Sequence, residues 1–125
     1  MSSKRSAIAV LVVASAALVC AGIALAADAS TKVTIQAQQG GFFGYVHTKS
    51  SAAERCEANR KVILYKQTGS SQRPRQDIKI GSDIAQPNGP DSQWFVNTNK
   101  SGKFYAKAPA KTGCLAGFSP TVHSQ

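Results

Sequence analysis

Short runs of β-branched and aromatic residues, separated by turn-forming residues, constrain the fold of this chain most. Runs such as Lys61–Gln67 (KVILYKQ) and Gln93–Asn97 (QWFVN) are bounded by clusters of Gly, Pro, Asn and Ser. This pattern is typical of strands. The most helix-tolerant segment beyond the N-terminal region, residues 50–60, is polar and is predicted to be a loop with at most one helical turn. The chain is therefore expected to be all-β.

Seven short strands are predicted, which is the number expected of a small antiparallel β-sandwich. They are Lys32–Ala37, Phe42–Thr48, Lys61–Gln67, Asp77–Ile84, Gln93–Asn97, Lys103–Ala108 and, less regular in pattern, Cys114–Val122. Turns are predicted at residues 87–90 (PNGP) and 99–102 (NKSG), because Gly and Asn accept positive φ there.

The N-terminal region has the order of a secretory signal peptide. Basic residues Lys4 and Arg5 precede an uncharged, aliphatic stretch over residues 6–27, and Ala24-Leu25-Ala26 is a small-x-small cleavage site. We predict a signal helix within residues 1–26, cleavage after Ala26, and a secreted domain over residues 27–125. A membrane anchor is the alternative, since 22 uncharged positions can span a bilayer.

Two cysteines, Cys56 and Cys114, remain after the predicted leader and lie 58 positions apart. In an exported domain, such a pair predicts one disulfide. The chain-entropy model gives this crosslink a stabilisation of about 4 kcal/mol. A metal site is the alternative, but two distant Cys and two distant His supply too few ligands for one.

Several core and turn patterns resemble small prealbumin-like (Ig-like) sandwich domains. The residues concerned include Phe42-x-Gly44-x-Val46, the run at residues 60–65 (RKVILY) and Gly102–Lys107 (GKFYAK). The nearest resemblance is to carboxypeptidase-regulatory-like and collagen-adhesin B-type modules. It implies an accessory role, in which the domain stiffens, spaces or binds and does not catalyse, and it fits a variant held by the disulfide.

No set of residues in the sequence predicts catalysis. The only histidines, His47 and His123, lack the nucleophile motif that a triad needs. The acids are scattered, and Gly40-Gly41 precedes a strand and not a phosphate-binding helix. We therefore predict a non-enzyme with no catalytic residue, no metal and no cofactor.

Strand alternation predicts one candidate binding face that combines aromatic and basic side chains. Its members are Phe43, Tyr45, Tyr65, Phe95, Tyr105, Lys66, Lys103 and Lys107. If they share a surface, they could stack on sugar rings or receive a partner's side chains. The alternative is that loops cover the aromatic rings, or that the rings only form cross-strand pairs.

Beyond the predicted leader, the sequence contains 13 Lys and Arg and six Asp and Glu, which gives a net charge of +7. This excess favours an anionic envelope polymer, a lipid headgroup layer or an acidic protein as partner, and a merely solvated surface is the alternative. Nucleic acid does not suit an exported protein. We expect a non-enzymatic module with a binding or structural role at the cell exterior, contacting anionic polymer or polysaccharide. The alternative is a secreted inhibitor or ligand-capture protein that binds another extracellular protein through loops such as Arg73–Gln76.

Overall fold

The computed structural model describes residues 27–125, and the predicted signal helix and cleavage site at residues 1–26 lie outside the described residues. The described part forms ten strands, a 3₁₀ turn at Ser50–Ala52 and a short helix α1 at Ala53–Cys56. The strands are β1 (Lys32–Val33), β2 (Gln36–Gln38), β3 (Gly41–His47), β4 (Lys61–Gln67), β5 (Ile78–Ile84), β6 (Gln86–Asn88), β7 (Asp91–Asn97), β8 (Gly102–Ala108), β9 (Gly117–Phe118) and β10 (Val122–Ser124).

These strands form two antiparallel sheets, which confirms the all-β class. The first sheet has the order β1–β3–β7–β6, with β2 also paired to β3. The second has the order β10–β8–β4–β5, with β9 also paired to β8. Among residues 27–125, none of the helices combines the length and the hydropathy that a membrane span requires.

The predicted strands agree with the structure in the middle of the chain and differ near its ends. The strand β4 has the predicted bounds, whereas the predicted strand at Lys32–Ala37 is divided into β1 and β2. The predicted strand at Cys114–Val122 is likewise divided, into β9 and β10. The predicted turn at residues 87–90 is tighter than expected, because Asn88 pairs with Asp91 and leaves only two residues to turn. Gly89 supplies the positive φ of 71° that this turn requires.

The core lies between the sheets and consists of the side chains that alternation assigns to the inner faces. Phe42 of the first sheet and Phe104 of the second meet with ring centroids 4.6 Å apart. The buried cluster contains Val33, Ile35, Phe42, Val46, Val62, Leu64, Ala85, Trp94, Val96, Phe104, Ala106 and Ala108. Its inward-facing strand residues confirm the predicted parity of β3, β4, β7 and β8.

Gly44 opposes Trp94 in the first sheet and leaves room for its indole. The Trp94 Nε1–H donates to the Thr34 carbonyl at 3.1 Å, so this buried donor is satisfied. A Cβ at Gly44 would overlap the Thr34 carbonyl oxygen and lie 2.7 Å from Trp94 Nε1, so the Thr34 backbone and the indole would both have to move. Packing in the first sheet thus explains why the middle residue of the Phe42-x-Gly44-x-Val46 pattern is a glycine.

One end of the sandwich is fastened by the predicted disulfide and by a buried arginine. Cys56 and Cys114 are joined, with their Cα atoms 5.7 Å apart. Beside them Arg60 is 1% exposed, and its guanidinium donates to the carbonyls of Cys56, Pro109 and Leu115 at 2.8–3.3 Å. Burial lowers the pKa of Arg60, although the carbonyls satisfy its donors. The arginine therefore ties the end of α1 to the β8–β9 loop, the same loop that carries Cys114, and reinforces the disulfide there.

Candidate functional site

The structure divides the predicted aromatic face between the two outer surfaces of the sandwich. Phe43, Tyr45 and Phe95 lie on the outside of the first sheet, because β3 and β7 are neighbours there. Tyr65 and Tyr105 lie on the outside of the second sheet, where β4 and β8 pair. Strand parity indicated correctly that all five rings point away from the core. It could not indicate which strands share a sheet, and the prediction of one common face is wrong.

The predicted lysines also separate. Lys66 is in register with the core residue Phe104 and so has the parity of the inner face, with its stem against Gly102. Lys103 has the parity of Tyr105, and its Nζ donates to the Gly69 carbonyl at 2.6 Å. Of the three lysines, only Lys107 lies in an open groove on the outside of the second sheet.

Tyr65 and Tyr105 are covered and do not form an exposed surface. Their rings stack at 5.3 Å with an interplanar angle of 16°. Tyr105 has no exposed area, since the segment between β4 and β5 folds back toward it. We call this segment, residues 68–77, the cover loop. The structure thus favours the alternative in which a loop buries these rings.

Asp77 fixes the cover loop through four hydrogen bonds. Its Oδ1 accepts from the backbone N–H and the hydroxyl of Thr68, each at 3.0 Å. Its Oδ2 accepts from the Tyr105 hydroxyl at 2.6 Å and from the Arg73 N–H at 2.7 Å. Burial raises the pKa of Asp77, but the bonds from Tyr105, Thr68 and Arg73 outweigh burial and lower it to about 2. Burial and the Asp77 charge raise the pKa of Tyr105, so its phenol stays protonated and continues to donate.

The cover loop forms one wall of a basic groove of about 390 Å³. This basic groove, named so below, is lined by Arg73, Pro74, Arg75, Gln76, Lys107 and Phe118. Phe118 is 46% exposed, and Lys107 Nζ lies 5.4 Å from its ring centroid. Three cations and an exposed ring, with no carboxylate in the lining, can bind an anion attached to a flat or ring-shaped group.

The cations of the basic groove have no carboxylate partner among residues 27–125, where every ion pair within 4 Å involves His47. Three of the carboxylates, Glu57, Asp77 and Asp83, accept from backbone amides instead. Asp83 accepts from the N–H groups of Ile84 and Phe95, and Glu57 accepts from the Thr48 N–H at 2.8 Å. The positive charge of the groove is therefore left for a ligand or for solvent.

The outside of the first sheet carries a second, smaller aromatic surface. Phe95 is 44% exposed and lies in register with Phe43, whose ring meets that of Tyr45 edge-on at 6.4 Å. Gln36 pairs with Phe43, and Gln93 pairs with Tyr45, so amide side chains flank the rings. This surface has the composition of a platform for a neutral ligand.

Sequence reasoning missed Phe118 as a site residue and treated Arg73 and Arg75 as parts of an exposed loop that could bind another extracellular protein. The groove depends on the register of β8 with β9, in which Lys107 faces Phe118. It also depends on the cover loop folding back over β8. The exposed pair of arginines around Pro74 was the available signal, but nothing local indicated what faces them.

Comparisons with known proteins place the chain in no family. No protein-family model matches it, and no curated protein matches it in sequence. Among solved structures, it is similar to a hypothetical protein from Pyrococcus horikoshii, at 14% identity and a TM-score of 0.40. That match covers 80% of this chain and 90% of the other.

Proposed function

We propose that this chain is a secreted, non-enzymatic binding module that contacts an anionic polysaccharide of the cell exterior through the basic groove. The prealbumin-like assignment belongs to this proposal and is supported by the two antiparallel sheets and by the core patterns quoted above. The disulfide supports export, since such bonds persist in oxidising compartments.

The observation that carries the proposal is the union of three cations and an exposed ring in one groove. Arginine binds carboxylate, sulfate or phosphate groups in a fork geometry, and two arginines flank Pro74. The face of Phe118 can pack against the apolar face of a sugar ring. An acidic sugar chain offers both features in every repeat, which favours it over a small inorganic anion.

The composition of the basic groove also supports a role in binding and not in catalysis. Its lining offers no histidine, carboxylate, serine or cysteine. General acid–base or nucleophilic chemistry uses such side chains within hydrogen-bond reach of the reacting atoms. The groove can hold an anion, and Lys107 has no second acid or base beside it in the lining with which to exchange a proton.

The test compares binding of polygalacturonate, an acidic polysaccharide, with that of dextran, a neutral one, by calorimetry. We expect binding of polygalacturonate alone, weakened about tenfold or more between 50 mM and 500 mM salt because ionic contacts are screened. The double variant Arg73→Gln/Arg75→Gln should lose binding. Lys49→Gln removes a charge from an exposed loop outside the groove and serves as the matched control.

Two outcomes would contradict the proposal. Equal affinity of the arginine variant and the Lys49→Gln control would show that the groove is not the site. Salt-independent binding of dextran that Phe95→Ala abolishes would move the site to the outside of the first sheet.

Capture of another extracellular protein is the second proposal, and the rigid cover loop favours it. Asp77 holds both ends of the segment from Thr68 to Arg73, while Arg75 stays exposed. Proteins that bind through loops gain affinity when the loop is already ordered. A stoichiometric complex with a trypsin-like protease that Arg75→Gln prevents would support this proposal, and rapid cleavage after Arg75 without inhibition would refute it.

A further inference from the structure

Three side chains that can bind a metal converge at the end of the sandwich where β3 finishes. His47 is the last residue of β3, Glu57 follows α1, and Asp91 begins β7. Their nearest ligand atoms all lie within 4.8 Å of one another. His47 Nδ1 lies 2.5 Å from Asp91 Oδ1 and 3.8 Å from Glu57 Oε2. The sequence separates these residues by up to 44 positions, so the prediction of no metal site could not take this convergence into account.

Glu57 is the unusual member of this cluster. It is 4% exposed, yet it has no Lys or Arg partner within 4 Å among residues 27–125. It accepts two hydrogen bonds from the protein, from the N–H and the hydroxyl of Thr48. Both reach the same oxygen, Oε2. Its other oxygen, Oε1, accepts no hydrogen bond from the described residues. No side-chain oxygen of the described residues is both buried and unpaired, so Oε1 must reach solvent, where an ion could meet it.

A groove gives this free oxygen access to solvent. The groove has a volume of about 220 Å³ and is lined by Glu57 and Asp91 together with Ala53, Pro87 and Ser92, among others. His47 and Asp91 have side chains that are 54% and 30% exposed, so each can rotate slightly. An entry path and ligands that can adjust are two requirements of a metal site.

We propose that His47, Glu57 and Asp91 bind one divalent transition-metal ion, of which Zn²⁺ is the representative. An imidazole nitrogen with two carboxylate oxygens suits Zn²⁺ and its neighbours, whereas Ca²⁺ and Mg²⁺ prefer all-oxygen sites with more ligands. Bonds of about 2.0–2.2 Å to the ion would require the His47–Asp91 contact to open by about 1 Å. The ion would bind His47 Nδ1 in the tautomer that carries its proton on Nε2, and water from the groove would complete its coordination.

Such an ion would link three segments that are far apart in sequence. It would join the end of β3, the segment after α1 and the turn between β6 and β7. A ligand that binds only the folded state raises the melting temperature in proportion to the logarithm of its concentration. The proposal therefore predicts a thermal effect that does not depend on the basic groove or its ligand.

The test titrates Zn²⁺ into chelator-treated protein by calorimetry and follows the melting temperature. We expect one ion per chain and a rise of about 10 °C at a hundredfold excess over the dissociation constant. His47→Ala should abolish both effects, and its exposed position should leave the fold intact. His123→Ala removes the only other histidine, which is exposed on β10, and should bind like the unchanged protein.

Glu57→Gln gives a second readout that distinguishes a ligand from a structural carboxylate. The amide retains an oxygen for the Thr48 donors but is a poor metal ligand, so Zn²⁺ should no longer raise the melting temperature. Binding that His47→Ala leaves unchanged, or that His123→Ala removes, would overturn the proposal. So would the absence of both heat and thermal stabilisation in the unchanged protein.

Discussion

Asp77→Asn offers the most direct check on how the fold holds its cover loop. The substitution keeps one oxygen, which can still accept from Thr68, but it places an NH₂ group opposite the Arg73 N–H. Two donors then face each other at this position, and the charge that strengthens the Tyr105 bond is lost. Hydrogen bonds to a charged group contribute about 1.5–3 kcal/mol each. We therefore expect the free energy of unfolding to fall by about 3 kcal/mol at pH 7.

The pH dependence of the unfolding free energy gives a second check on the role of the Asp77 charge. The pKa of Asp77 falls from 3.8 to about 2 on folding, so the ionised carboxylate stabilises the native state above pH 4. This stabilisation, about 2 kcal/mol at about 1.4 kcal/mol per pH unit, is lost as the pH falls through 4 toward 2. The unchanged protein should lose it in this window, and Asp77→Asn should not.

Urea unfolding at pH 7, 4, 3 and 2 measures this difference directly. The gap in unfolding free energy between the unchanged protein and Asp77→Asn should narrow by about 2 kcal/mol as the pH falls. Asp28→Asn, at an exposed position, is the matched control and should follow the unchanged protein at every pH. A gap that stays constant from pH 7 to pH 2 would refute the assignment of the charge to Asp77.

Three further substitutions probe other parts of the fold. Replacing Cys56 and Cys114 together by Ser should lower the unfolding free energy by up to about 4 kcal/mol in urea, and an unchanged midpoint would contradict the role of the crosslink. Arg60→Met should lower it by about 3 kcal/mol, because the carbonyls of Pro109 and Leu115 lose their donors, whereas Lys61→Met at the exposed neighbouring position should change little. Gly44→Ala should destabilise the fold and shift Trp94 fluorescence, because its methyl group would meet the Thr34 carbonyl and the indole, and unchanged stability with an unchanged emission spectrum would contradict this packing.

Strand identity and side-chain parity were predictable from the sequence because they depend on local alternation. Val62 and Leu64 alternate with Ile63 and Tyr65, and the first pair lies in the inter-sheet core as expected. What covers the outer side chains depends on contacts between residues far apart in sequence. Tyr105 is buried because a carboxylate 28 positions away, Asp77, accepts its hydroxyl hydrogen, and no local pattern reveals that pairing.

Arg60 shows why polar residues limit this kind of prediction. An arginine beside a lysine at the start of a strand is expected to be solvated, since charged side chains are rarely fully buried. Here the last residue of α1 and the β8–β9 loop present three carbonyl groups at hydrogen-bond distance, and the guanidinium is buried among them. The acceptors belong to the backbone, which carries no residue-specific signal. The basic groove escaped prediction for a related reason, because it needs both the cover loop and the β8–β9 register.

The positions of the carboxylates, and not only their number, decide which cations are left without an ion-pair partner. Four of the six acids beyond residue 27 hold backbone amides, hydroxyls or His47, and these contacts leave the lysines and arginines without partners. Removing one of these acids should therefore weaken the fold, whereas removing a lysine or arginine of the groove should weaken binding and leave stability nearly unchanged. The two kinds of variant separate stability from function in one protein. If Arg75→Gln destabilised the fold as much as Asp77→Asn does, the groove would be part of the scaffold and not a site.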